Sequence, residues 1–162
     1  MAWQYSVLVV ANVTADSQEL IEELTERAAR DRCRFTLLVP AGLSAGRDDA
    51  KARVAAAVAR LEEAGLEVEG VVGDHEPVHA VDDLWDPRRF DEVIVATLPT
   101  GSSKWLQIDL PHRIERLTDV PVKHVVAEPP RPEPRTHRRE QPEELGLLSP
   151  LGAVTGRRPR RG

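Results

Sequence analysis

Five short apolar runs, each separated from the next by a stretch with helical spacing, constrain this chain more than any other feature. The runs are Ser6–Ala11, Phe35–Val39, Leu66–Val72, Asp91–Ala96 and Val122–Val126. Most are β-branched and continuous, as expected of strands buried on both faces. Leu66–Val72 instead alternates apolar with acidic residues, which predicts an edge strand with one wet face. Between them, Leu20, Leu24 and Ala28 recur at every fourth position, and Val54, Val58 and Leu61 form a second apolar stripe. Asp16 followed by Glu19 has the spacing of a capping box and predicts the start of the first helix. Gly65 stops the second helix, and Pro77 opens a third that carries Val78, Val81 and Leu84/Trp85. A last helix is expected over 110–118. Parallel strands need crossover connections, so strands alternating with helices predict an α/β fold: a parallel sheet with helices on both faces.

The 162 residues suit one folded unit, expected over 1–127. From Glu128 onward the chain is rich in proline and arginine and too poor in apolar residues to offset the entropy of ordering, so 128–162 is expected to be a disordered or extended tail. Residues 1–127 carry 14 basic and 22 acidic side chains, against 8 and 5 in 128–162. An acidic body is repelled by phosphate backbones, which disfavours nucleic acid as a partner of the domain. Leu145–Leu148 and Leu151–Val154 are apolar islands in the tail; the alternative to a plain flexible tail is a segment that docks on a protein or acidic partner. No run approaches the roughly 18 apolar residues of a membrane span. The N-terminus has no basic region before its apolar run, and the single Cys33 cannot form an internal disulfide, so the expected location is cytoplasmic. Cys33 is expected to be a buried structural thiol.

Three local features add specificity. The first run ends at Asn12, the fourth is introduced by Asp91-Glu-Val-Ile-Val, and the fifth has the form Pro121-Val-Lys-His-Val125. Together they resemble the universal stress protein domain, along nearly all of 5–127. The resemblance implies a five-stranded sheet of order 3-2-1-4-5, a ligand crevice between the carboxyl ends of the first and fourth strands, and homodimers that pair through the fifth strand. ATP-binding members of that family follow the fourth strand with four defining positions, three glycines and a Ser or Thr. Their spacing falls here on Ala96, Pro99, Asp109 and Leu110, so all four differ. Proline removes an N–H donor, and a carboxylate at Asp109 would repel phosphate. Asp109 is better explained as the N-cap of the helix that begins at Leu110-Pro111.

Two functional readings follow from the resemblance. The first is a non-enzymatic, stress-associated or regulatory binding protein with weak or absent ATP binding and no cofactor. The second is an ATP- or adenine-nucleotide-binding member that uses a remodelled site made of Asn12, Val39, Gly101, Ser102 and Ser103, with hydrolysis as a further variant. Thr100-Gly-Ser-Ser-Lys104 has the parts of an anion nest, although such polar clusters are more often ordinary loops. Trp105 belongs more readily to a core or interface than to a base-stacking platform. His75 and His79 have helical metal-ligand spacing, but no third ligand completes a set, so solvated histidines are expected. Ser44–Asp49 only loosely resembles a pyrophosphatase loop, and no spacing nominates a catalytic constellation.

Overall fold

A computed structural model describes residues 3–43 and 46–128. The elements are β1 (Tyr5–Val10), α1 (Gln18–Arg30), β2 (Cys33–Pro40), α2 (Gly46–Glu63), β3 (Val68–Gly73), α3 (Pro77–Leu84), β4 (Glu92–Thr97), α4 (Lys104–Gln107), α5 (Leu110–Thr118) and β5 (Val122–Val126). All pairings are parallel and the order is β3-β2-β1-β4-β5, as the sequence reading expected. Apart from Glu128, the segment read as a tail lies outside the described residues, as do Ser44 and Ala45. No helix among the described residues is long and apolar enough to cross a membrane.

Strand alternation divides the core into two layers. Val7, Val9, Phe35 and Leu37 face one side, where Leu20 and Leu24 of α1 and Val54, Ala57 and Leu61 of α2 cover them. Leu8, Val10, Val93 and Val95 face the other, beneath Ala80 and Val81 of α3 and Leu110 and Ile114 of α5. The first helix begins one residue away from its expected cap. Ser17, not Asp16, is the N-cap, and its hydroxyl accepts from the Leu20 amide at 3.2 Å. Burying Leu20 and Leu24 is worth about 2 kcal/mol each, roughly twice a cap, so packing fixes α1 and the cap only trims its start.

Arg27 continues the same buried stripe, one turn beyond Leu24. It sits at the amino edge of the sheet, where its guanidinium reaches Glu92 through two nitrogens, at 2.6 and 3.1 Å, and Asp31 at 2.9 Å. The cation also lies over the Tyr5 ring, 4.9 Å from its centre. These hydrogen bonds to Glu92 raise the Arg27 pKa above its ordinary value and tie α1 to the first residue of β4. Beside it, burial pushes the Cys33 thiol pKa up, in keeping with a structural thiol.

At the far edge, β3 is held by close backbone approach. A Cβ on Gly70 would lie 2.1 Å from Val54 Cγ1 and 2.9 Å from Val58 Cγ2, so α2 can rest on β3 only because that position is glycine. Gly70→Ala is therefore expected to lower unfolding free energy in urea by about 1–3 kcal/mol. Arg27→Met, which leaves Glu92 without its partner, is expected to cost about 2 kcal/mol by the same measurement. An unchanged midpoint in either variant would show that the contact does not hold its helix.

Candidate functional site

The chain leaves β1 toward β2 on one side, while β4 enters on the other, so the loops at their carboxyl ends diverge and leave a crevice. It has a volume of about 250 Å³. Asn12, Val13 and Thr14 form one wall, Ala96 and Thr97 the end of β4, and Leu98, Ser102, Ser103, Lys104 and Trp105 the other wall.

The first wall is rigidly built. Ala15 N donates to Asn12 O and Ser17 N to Thr14 O, both at 3.0 Å, making two successive turns between β1 and α1. The buried Thr14 hydroxyl donates to Ala96 O at 3.0 Å, which fastens this loop to β4. Two arginines one heptad apart on α2 hold it from outside: Arg53 Nη1 donates to Asn12 Oδ1, and Arg60 Nη1 to Asp16 O at 2.6 Å. Sequence spacing could not reveal this clamp, because α2 lies some forty residues away.

The second wall contains a helix that the sequence reading did not foresee. Ser102 N donates to Pro99 O at 3.0 Å, closing a turn that Gly101 completes with φ 95°. Ser103 then caps α4, its Oγ accepting from the Leu106 amide at 3.3 Å. Trp105 packs against the second core layer while also lining the crevice. The loop thus spends the Ser102 and Leu106 amides on its own fold, while Ser103 Oγ serves it only as an acceptor.

Asp109 occupies the N-cap position of α5 but does not cap it, which corrects the sequence expectation. Its backbone is left-handed, φ 54° and ψ 45°, and its carboxylate turns to His112 Nδ1 at 2.8 Å. The left-handed bend directs the side chain away from the helix amides. Leu110 is fully buried in the core, and neither residue lines the crevice. The α5 terminus therefore does not present its amides there.

The crevice carries one cation, Lys104, and no carboxylate among its lining residues. The Lys104 side chain is exposed, and its ammonium forms no hydrogen bond or ion pair with another described residue. Behind Thr97, His124 Nε2 lies 2.6 Å from the threonine hydroxyl, and burial lowers the His124 pKa below its ordinary 6.5. Of the expected site residues, Asn12, Ser102 and Ser103 come together here. Gly101 sits exposed in the adjoining turn, and Val39, one residue before the end of β2, is fully buried, so neither residue lines the crevice. Thr14 and Thr97 were missed; Thr97 is the last residue of β4, a position that could have nominated it, whereas Thr14 lies inside the turns between β1 and α1. No group of three His, Cys, Asp or Glu side chains suited to a metal occurs among the described residues.

Three solved structures share the fold of this chain. The fold is that of the universal stress proteins. One, crystallised in complex with cAMP, is 23% identical, with a TM-score of 0.55 over 79% of this chain and 100% of its own. A second, from Archaeoglobus fulgidus in complex with dAMP, is 15% identical, with a TM-score of 0.55 over 77% and 99%. Another universal stress protein from Archaeoglobus fulgidus is 16% identical, with a TM-score of 0.52 over 75% and 94%. No protein-family model and no curated protein matches the chain.

The left-handed backbone at Asp109 makes a direct prediction. Asp109→Gly should be more stable than Asp109→Ala by about 1 kcal/mol, since only glycine adopts this conformation freely. Equal melting of the two variants would show that position 109 does not hold the left-handed conformation.

Proposed function

We propose that this chain is a non-enzymatic regulatory binding protein whose crevice takes a small anionic ligand of the nucleoside monophosphate class and holds ATP weakly or not at all. The observation that carries this reading is the lining of the crevice. It has a lysine, hydroxyls and an amide but no carboxylate, on a domain whose overall charge is negative. An isolated positive site on such a body favours an anion.

Size and donor supply separate the monophosphate from the triphosphate. A volume of about 250 Å³ lies at the small end for ligand pockets. The amides of Ser102 and Leu106 are already bonded within the loop, and the α5 terminus lies outside the crevice, so few donors remain for a chain of phosphates. The cAMP and dAMP complexes of two proteins with the same fold support a ligand of this class. The lining holds no histidine, cysteine or carboxylate in the usual position of a general base, which supports binding over turnover.

The same reading takes the protein as a cytoplasmic homodimer paired through β5. That strand is at the sheet edge, and Val126 on it is exposed.

Calorimetry with purine monophosphates and with magnesium ATP tests the proposal. At least one monophosphate should bind more tightly than ATP, and ATP no more tightly than roughly 100 μM, about −5.5 kcal/mol. Lys104→Ala should weaken the monophosphate about five- to tenfold, the scale of one partly exposed charge-assisted hydrogen bond. A micromolar ATP complex overturns the reading.

A further inference from the structure

The clamp on the first wall fixes more than the shape of the crevice. Arg53 carries only hydrogen-bond donors, so an asparagine that bonds to it must present its oxygen. The contact between Arg53 Nη1 and Asn12 Oδ1 therefore sets the orientation of the Asn12 amide. The opposite flip would bring NH₂ against a guanidinium. Asn12 Nδ2 is thereby left as a donor, and it makes no hydrogen bond to another described residue. Asn12 lines the crevice and is partly buried. Arg53 does not line the crevice, so it acts on a ligand only through Asn12.

We propose that Arg53 is a positioning residue that fixes Asn12 as a hydrogen-bond donor, so that the crevice selects nucleoside monophosphates with a keto group on the base over those with an amino group. The inference rests on the monophosphate reading above. Lys104 and Ser102 lie on the β4 side of the crevice and Asn12 on the β1 side. A ligand whose phosphate is drawn to Lys104 turns its base toward Asn12, between the apolar surfaces of Val13 and Trp105. A keto oxygen there accepts from Nδ2. An amino group sets donor against donor and leaves both without partners, the arrangement by which a polar site rejects a close analogue.

Two ligand pairs exchange a keto for an amino group at this edge, together with the proton on the adjoining ring nitrogen: IMP with AMP, and UMP with CMP. Calorimetry on the full chain should give the keto member about tenfold tighter binding within a pair, the effect of one unsatisfied hydrogen-bonding group. Arg53→Met frees the amide to rotate, and the two members should then bind within about twofold of each other. Asn12→Asp keeps one oxygen for Arg53 and turns the other into the crevice as an acceptor, which should reverse the preference toward AMP and CMP. Circular dichroism melting of each variant checks that the domain stays folded. Equal binding within both pairs, or a preference for the amino member, overturns the selection while leaving the monophosphate reading intact. Arg53→Met that weakens both members by the same factor shows that the residue only supports the loop, and it overturns the proposal. Failure of all four ligands to bind overturns this inference together with the reading on which it rests.

Discussion

The structure depends on the double pairing of β1. Its backbone is bonded to β2 along one edge and to β4 along the other, in parallel, so it is covered on both faces and both edges. Parallel pairing forces every crossover to pass over a face of the sheet, which places helices on both sides. The position of β1 also decides where a ligand can enter. The sequence order of neighbouring strands reverses there, and the loops after β1 and β4 part at that point.

Regular burial is what made much of this readable. Val7 to Ala11 could only be an interior strand, because a run with no polar alternation has no wet face to offer. The alternating residues before Gly70 pointed to an edge strand, and β3 is at the edge. Signals from single polar residues were less reliable. Asp16 and Ser17 both have capping side chains, and the choice between them rests on one residue of helix phase, which periodicity does not resolve. Asp109 has the right residue type and position for a cap, but its function depends on a backbone angle that no spacing encodes.

The site was legible in proportion to how local it is. Asn12, Ser102 and Ser103 stand at strand and loop ends that the pattern already defined. Arg53 and Arg60 reach the first loop from α2, and a contact across more than forty residues leaves no mark in local composition. The short α4 was hidden for a different reason. Four residues carry too little periodicity to register, and the helix exists because Ser103 caps it and Trp105 anchors it to the core.

Arg27, Glu92, Asp31 and Tyr5 gather at the amino ends of the strands, while the crevice lies at their carboxyl ends. What fastens the first helix to the sheet is thus separated from what meets a ligand by the full length of a strand. Changes in the carboxyl-end loops leave the fastening untouched, and substitutions so far apart combine additively. The domain is in this respect a chassis: its ligand-facing loops can be exchanged by evolution, or by grafting, while the opposite edge keeps the same frame.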